Sequence, residues 1–157
     1  MCWVCEHPES TREDRVQYVR GLLDQHCWIV IGVFAERYRP PYSYTVGLTD
    51  HGCPELLITG LPKQRAADVL TSAVSDVFAG AALAPGKRIR VSGLAVEVVQ
   101  VAEPSAHLEV AADLFGRQLT ALQLVYADRR RHWPWDPRFH GGRGGQPVLG
   151  ARAKQAA

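Results

Sequence analysis

Apolar residues recur at helical spacing in three segments of this 157-residue chain. The first follows a capping box formed by Ser10 and Glu13, so a helix is predicted from about Thr11 to Gln25. The second lies within Pro62–Gly80, where a proline suits the first helical turn and a glycine the stop. The third helix is predicted over Ser105–Phe115. These segments are the helical framework that the pattern predicts.

Short runs of β-branched and aromatic residues predict six strands between and after these helices. They are Cys27–Ala35, Tyr42–Leu48, Glu55–Leu61, Arg88–Val91, Leu94–Val101 and Leu119–Tyr126. Short turns join several consecutive strands, which favours antiparallel pairing. The order α-β-β-β-α-β-β-α-β therefore predicts an α+β fold, with helices packed on a mostly antiparallel or mixed sheet. A small split barrel is the alternative topology.

The length predicts one domain over residues 1–150, followed by a flexible C-terminal tail over 151–157. No apolar run approaches the roughly 20 residues that span a bilayer, so no membrane segment is expected. The first residues lack the basic and apolar regions of a signal peptide, which favours a cytoplasmic protein.

Positive charge is concentrated at the C-terminal end of the chain. From Gln118 to Ala157 there are seven Lys or Arg and two Asp or Glu, although the whole chain carries only +2. Arg129, Arg130 and Arg131 are the densest basic cluster. One interpretation is contact with phosphate or nucleic acid, and the other is a solvated basic face. Three arginines fall far short of a basic domain, so nucleic acid is disfavoured as a partner.

The N-terminal motif Cys2-x-x-Cys5-x-His7 has the spacing of a metal clasp. Two thiolates and an imidazole are zinc ligands, although a structural zinc needs a fourth ligand from elsewhere in the fold. The two cysteines could instead form a redox-active dithiol. In the third interpretation the cysteines have no chemical role and their neighbours dock on the core.

Polar residues stand at fixed places in the predicted strand pair of Tyr42–Pro62. Thr45, His51 and Glu55 are candidate catalytic residues, because a carboxylate near a histidine can form a general acid and base pair in a cleft. Tyr44 would belong to the wall of that cleft. Alternatively, Glu55 caps a turn or pairs with an arginine, Thr45 and Thr59 satisfy strand edges, and His51 is solvated.

A proline-stiffened segment carries two indole rings near the C-terminal end. Trp133 and Trp135 offer flat apolar faces beside the opposite charges of Asp136 and Arg138. Such a loop could close over a planar ligand, which makes these four residues candidates for ligand binding. The alternative is a C-terminal segment whose tryptophans fill the core while the two charges pair at the surface.

Six motifs spread along nearly the whole chain resemble a family of bacterial proteins, the domain-of-unknown-function family 4262. The motifs are Cys2–Pro8, Tyr44–Leu48, Pro54–Leu56 with Thr59–Leu61, Gln123–Val125, Trp133–Asp136 and Gly145–Gly150. Members more usually carry an acidic residue and a glycine before Trp-Pro-Trp-Asp, where this chain has Arg130-Arg131-His132. The resemblance implies a family and no activity.

Two functions of different classes remain open. The first is a small enzyme or accessory enzyme that binds a planar small molecule between the Tyr44–Leu48 and Glu55–Thr59 strands and the Trp133–Arg138 loop. The second is a non-catalytic binding module whose Cys2–His7 segment holds zinc. A flavin-binding split barrel is a third interpretation, although no phosphate-binding motif supports it. The family likeness links three segments, Cys2–Pro8, Tyr42–Pro62 and Trp133–Asp136, and we expect them to meet around one cleft. Otherwise Tyr42–Pro62 is simply well-packed sheet.

Overall fold

The computed structural model describes residues 3–154, except for the side chains of Val4 and Cys5, and contains a six-stranded sheet. The helices are α1 Trp3–Glu6, α2 Arg12–His26, α3 Lys63–Phe78, α4 Pro104–His107 and α5 Glu109–Phe115. The strands are β1 Ile29–Val33, β2 Tyr42–Val46, β3 Glu55–Thr59, β4 Arg88–Val91, β5 Leu94–Gln100 and β6 Ala121–Tyr126.

The strands lie in the order β1-β2-β3-β6-β5-β4. The β3–β6 pair is parallel and the other four pairs are antiparallel. The predicted α+β class with a mixed sheet is confirmed, as is the predicted element order in broad terms. The sheet is open, with β1 and β4 at its two edges, so the split barrel considered above is wrong.

Two local details differ from the sequence-based expectation. The capping box of α2 is formed by Thr11 and Asp14 rather than by Ser10 and Glu13: the Asp14 amide donates to Thr11 Oγ1 at 3.2 Å, and the Thr11 amide donates to Asp14 Oδ2 at 2.8 Å. The predicted third helix is two helices, because Leu108 leaves helical dihedral angles at φ −98°, ψ 64°. Its side chain is fully buried at this break.

Helix α3 covers one face of the sheet. Its buried residues are Ala66, Val69, Leu70, Ala73 and Val74, which pack against alternate residues of β3, β5 and β6. Burying a side chain of Val or Leu size stabilises the fold by about 1.5–3 kcal/mol. This amphipathic face, already visible in the sequence, therefore positions α3 on the sheet.

Helices α2 and α5 cover part of the opposite face. Their contacts involve Val19, Ala111, Leu114 and Phe115 with the tyrosines of β2 and neighbouring apolar residues. Among residues 3–154 no helix has the length and apolar character needed to cross a membrane.

The remainder of that second face is crossed by residues 145–152, which we call the C-terminal strap. The Pro147 carbonyl accepts hydrogen bonds from Thr59 Oγ1 at 2.8 Å and from Gln123 Nε2 at 2.7 Å. The Leu149 amide donates to Gln123 Oε1 at 2.7 Å. The buried Gln123 side chain therefore uses both ends of its amide to fix the strap to the sheet.

Candidate functional site

Glu55 is fully buried at the start of β3, and its carboxylate is saturated with hydrogen bonds. Thr45 donates its hydroxyl to Oε2 at 2.6 Å. Oε1 accepts from the amides of Gly47 and Thr49, at 2.9 and 3.0 Å, and from the Thr49 hydroxyl at 2.9 Å. Complete burial and four donors from its own chain keep this carboxylate away from any cleft, so its contacts are those of a clamp on the turn after β2.

His51 does not join this pair. Its ring is exposed and lies edge-on to Phe78, with 5.4 Å between the ring centroids. The structure therefore brings Thr45 and Glu55 together and leaves His51 at the surface.

Tyr44 is buried to 1% exposure in the core under α5. Its hydroxyl accepts a hydrogen bond from the Val110 amide at 3.2 Å. Burial raises the pKa of Tyr44 above its ordinary value, since the charged form would lose its hydration. This side chain forms part of the packing between sheet and helix rather than the surface of a cleft.

Trp133 and Trp135 stack on each other, with their centroids 5.4 Å apart and 2° between the ring planes. The Arg88 guanidinium lies 4.7 Å from the Trp133 centroid, and that of Arg152 lies 3.7 Å from the Trp135 centroid. Cation–π contacts of this kind are worth about 0.5–1 kcal/mol at exposed sites. Much of the flat surface of both indoles is thus occupied by neighbours in the chain.

Glu97 of β5 holds both of these arginines. Arg152 reaches its carboxylate with Nε at 2.8 Å and Nη2 at 3.0 Å, and Arg88 with Nε at 3.2 Å. Desolvation opposes ionisation of this buried carboxyl, but the hydrogen bonds from Arg152 and Arg88 outweigh it and lower the pKa of Glu97. The buried Glu97 carboxylate therefore ties both the strap and β4 to β5 through two partly exposed arginines, and the sequence did not single it out.

The expectation that three segments would meet around one cleft is wrong. Trp133 lies against Arg88 of the edge strand β4, whereas Thr45 lies on β2, and three strands separate β2 from β4. At about 4.8 Å per strand this is a distance of roughly 19 Å. The N-terminal segment lies elsewhere again, with Trp3 stacked on Tyr18 of α2. Sheet order, which the sequence does not show, is the physical reason.

Asp136 and Arg138 form a bidentate pair with each other near the surface. Arg138 donates Nε to Oδ1 at 3.1 Å and Nη2 to Oδ2 at 2.9 Å, and its side chain is 73% exposed. The hydrogen bonds from the Arg138 side chain and amide lower the pKa of Asp136 to about 2. Their mutual contact stiffens the turn between Trp135 and Phe139.

Of the proposed zinc ligands, Cys2 and the Cys5 side chain lie outside the described residues. His7 Nδ1 lies 3.0 Å from the Trp3 carbonyl oxygen, and its ring stacks on Trp3 at 4.6 Å. Across the part of the chain that the structure describes, no three His, Cys, Asp or Glu side chains form a group that could hold a metal ion.

Two adjoining clefts lie beside the turn that follows β6, and arginines dominate both. The first, of about 340 Å³, is lined by Asp128, Arg129, Arg130, His140, Gly141 and Arg143. The second, of about 650 Å³, includes Arg88, Arg90, Asp128, Arg129, Arg131 and Trp133 in its lining. Asp128 and Arg129 are common to both, so the clefts are neighbours. Volumes of roughly 300–1,000 Å³ are typical of small-molecule sites.

Asp128 organises the loop that forms these clefts. Its Oδ1 accepts from the amides of Arg130 and His132, at 2.8 and 2.9 Å, and its Oδ2 from the amide of His140 at 2.9 Å. Desolvation opposes its ionisation, but these three amide donors and the nearby His132 ring lower the pKa of Asp128 to about 2. Its charge is therefore directed at the backbone of its own loop.

Sequence reasoning recognised Arg129–Arg131 as a basic cluster but missed the other arginines of the clefts. Arg88 and Arg90 alternate along β4, so they project from the same face of an edge strand. That spacing was a visible signal. Their position beside the Asp128 loop, however, depends on β5 lying between β4 and β6.

Comparison with known proteins identifies a family and no activity. No curated protein and no solved structure matches the chain significantly. The model of the family described as domain of unknown function (DUF4262) matches residues 22–140. The matched range contains Tyr44–Leu48 and Trp133–Asp136, two of the motifs that carried the resemblance. Because it spans well over half of the chain, this protein belongs to the DUF4262 family, and the resemblance inferred from sequence is confirmed.

Proposed function

We propose that this protein binds a small molecule that carries a phosphate group beside a planar ring, in the two adjoining clefts. The supporting observation is the convergence of six arginines from β4, from the Asp128 loop and from residue 143. Five of them have no carboxylate partner among the residues that the structure describes: Arg90, Arg129, Arg130, Arg131 and Arg143. The carboxylate of Asp128 is already committed to backbone amides.

Arginine suits phosphate because its planar guanidinium offers paired donors that match two phosphate oxygens. The first cleft supplies three such groups, on Arg129, Arg130 and Arg143, around one concave space. Gathering like charges costs free energy when no anion is present. A bound phosphate would remove that repulsion and accept their hydrogen bonds.

Trp133 provides the contact for a planar group. It lines the second cleft, which Arg129 connects to the first. Because Trp135 and Arg88 cover the two faces of its indole, an aromatic ring placed there would contact the indole edge while its phosphate reached the first cleft. Trp135 is the poorer candidate, because it lines neither cleft.

This proposal moves the ligand away from the Tyr44–Leu48 and Glu55–Thr59 strands. The donors to Glu55 support a structural role for Thr45 and Glu55, and the clefts lie on the other half of the sheet. The size of the two clefts and the small net charge of +2 favour a small molecule over a nucleic acid.

Isothermal titration calorimetry with adenosine monophosphate, adenosine and inorganic phosphate tests the proposal. Adenosine monophosphate should bind most tightly, since it engages both clefts. Losing one charge-assisted hydrogen bond costs about 1.5–3 kcal/mol, so Arg129→Gln and Arg143→Gln should each weaken its binding by about 10–100-fold. Trp133→Leu should weaken the binding of adenosine monophosphate but leave the affinity for inorganic phosphate unchanged.

Arg138→Gln is the matched control, because Arg138 is an exposed arginine of the same region that does not line either cleft. It should bind as the parent does. Absence of measurable binding by every phosphate probe, or an equal loss in Arg138→Gln and Arg129→Gln, would contradict the proposal.

A further inference from the structure

His140 occupies the first cleft with a fixed ring orientation. Its Nδ1 lies 2.9 Å from the Gly144 carbonyl oxygen. A carbonyl oxygen can only accept, so Nδ1 carries the proton of the neutral ring. The lone pair then lies on Nε2, the atom on the far side of the ring. A histidine held in this tautomer presents a nucleophilic nitrogen.

The backbone at His140 is held in a strained conformation. Its dihedral angles, φ 49° and ψ 38°, lie in the left-handed region that non-glycine residues seldom adopt. Its amide donates to Asp128 Oδ2 at 2.9 Å, and its ring lies 3.9 Å from that of the buried Phe139. Contacts with Gly144, Asp128 and Phe139 therefore hold His140 in a conformation that is unfavourable for a residue with a side chain. Backbone strain of this kind is concentrated at functional sites.

Three arginines line the first cleft together with this histidine. Arg143 donates Nε to the His140 carbonyl oxygen at 3.1 Å, which positions its guanidinium beside the same residue. Arg129 and Arg130 line the cleft with it. Positive groups that are already in place stabilise the charge spread over the oxygens of a phosphoryl group in transfer.

We propose that His140 Nε2 accepts a phosphoryl group from the bound ligand. This inference rests on the proposed function, and it narrows the ligand to a phosphoanhydride. Among the described residues that line the first cleft, Asp128 is the one carboxyl, and it is ionised and bonded to backbone amides. No proton donor is therefore placed for an alkoxide leaving group. A leaving phosphate or carboxylate needs none.

In the first step the Nε2 lone pair attacks the terminal phosphorus. The N–P bond forms as the bridging P–O bond breaks, and the bond electrons leave with the departing phosphate or carboxylate. In the second step a water oxygen attacks phosphorus and the N–P bond breaks. Inorganic phosphate leaves, the lone pair returns to Nε2, and the water proton that is lost passes to solvent.

The test uses the full chain with adenosine diphosphate, inorganic pyrophosphate and acetyl phosphate as probes. Phosphate release is measured by colorimetry, and a phosphoenzyme by intact-protein mass spectrometry at alkaline pH, where a phosphohistidine survives. The expected result is turnover with at least one probe, one added phosphoryl group on the intact protein, and a phosphorylated peptide that contains His140 when the protein is digested at alkaline pH.

His140→Asn is the decisive variant, because asparagine tolerates the left-handed region and its amide can still donate to the Gly144 carbonyl. In this variant the rate of phosphate release should fall by about 100-fold or more, and the phosphoenzyme should disappear. Adenosine monophosphate should still bind, since the arginines are intact. His26→Asn, at the exposed end of α2, should turn over like the parent chain.

Absence of release with all three probes, or release unchanged in His140→Asn, would overturn this inference. If adenosine monophosphate still bound with the expected arginine dependence, the proposed function would stand. If no phosphate probe bound, both would fail.

Discussion

Arg152 and Glu97, which are 55 residues apart in the chain, are joined by two parallel hydrogen bonds of 2.8 and 3.0 Å. The Glu97 side chain is 2% exposed, and the Arg152 side chain is 36% exposed. The C-terminal strap is therefore anchored to β5 beyond its last contact with Gln123. This anchor also positions the Arg88 and Trp133 walls of the second cleft, because Arg88 shares the same carboxylate.

Replacing Arg152 should destabilise the fold. Arg152→Ala leaves Glu97 buried with Arg88 as its single remaining cationic partner, and loss of charge-assisted hydrogen bonds costs about 1.5–3 kcal/mol. Urea unfolding followed by circular dichroism measures the free energy of unfolding. Lys154→Ala, an exposed change two residues away, is the control. Equal stability of the two variants would show that the pair contributes nothing.

The Glu55 clamp should prove structural. Glu55→Gln keeps the size of the side chain but replaces one acceptor oxygen with a donor, so either the Thr45 hydroxyl or the amides of Gly47 and Thr49 lose a partner. A buried unsatisfied group costs about 1–3 kcal/mol, and the free energy of unfolding should fall by that amount. Ligand affinity at the clefts should be unchanged. If Glu55→Gln were as stable as the parent, the inference that the Glu55 hydrogen bonds stabilise the turn after β2 would be wrong.

Acid should weaken the Asp128 loop in a defined direction. The pKa of Asp128 is lowered from its ordinary value of 3.8 to about 2 in the folded protein. Its contribution to stability is therefore complete above about pH 4 and is lost as the pH falls through about 2. Asp128→Asn should remove this part of the acid dependence in unfolding titrations.

The Asp128→Asn variant has a local consequence at neutral pH as well. The new side-chain amide would offer the backbone of the loop one acceptor oxygen instead of two, so the segment Arg129–Arg131 should open more often. Trypsin should then cleave after these arginines faster than in the parent chain. An unchanged cleavage rate would show that the carboxylate does not hold the loop.

Arg131 stands at a backbone position that favours glycine, with φ 66°. Arg131→Gly should relieve about 1 kcal/mol of strain, partly offset by the greater freedom of the unfolded chain. The expected result is a protein at least as stable as the parent that binds adenosine monophosphate more weakly, measured by thermal unfolding and calorimetry. A lower stability of Arg131→Gly than of the parent would contradict the inference that the Arg131 backbone is strained.

Gly150 lies so close to β5 that a side chain has no room. A Cβ at this position would collide with the carbonyl oxygen of Gln100, which belongs to the backbone and cannot rotate away. Gly150→Ala should therefore displace the strap and lower stability by about 1–3 kcal/mol, the range of an overpacked site. Gly21→Ala in α2, where nothing lies within 4 Å, should instead stabilise by about 0.5–1 kcal/mol. Hydrogen exchange of residues 145–152 localises the effect.

The strands were predictable to within one or two residues at most ends because their signals are local. The hairpin across Ser92-Gly93 joins β4 to β5 as expected, since two adjacent runs and a turn residue suffice to specify it. The helix α3 was equally clear from its apolar face. The capping box of α2 was misplaced by one residue, because Ser10 and Thr11 both begin a motif that fits.

The clefts could not be derived in the same way. Arg129–Arg131 are contiguous in sequence and their charge was visible, but Arg88, Arg90 and Arg143 reach the same place from distant parts of the chain. Their convergence depends on the strand order, which places β5 between β4 and β6. Conversely, Glu55 and His51 are close in sequence but differ in burial. Glu55 accepts hydrogen bonds from the turn after β2 inside the core, whereas His51 is exposed to solvent.

Periodicity and turn chemistry were therefore enough to specify the elements and the fold class of this chain, since each depends on residues within a few positions of one another. The family was recognised separately, from the resemblance of six motifs. The pairing of β3 with β6, the Glu97 anchor and the arginine clefts are contacts between residues that lie tens of positions apart. Such contacts are selected by how the two faces of the sheet are covered. No local pattern predicts these contacts, because each depends on which strands lie next to one another in the folded sheet.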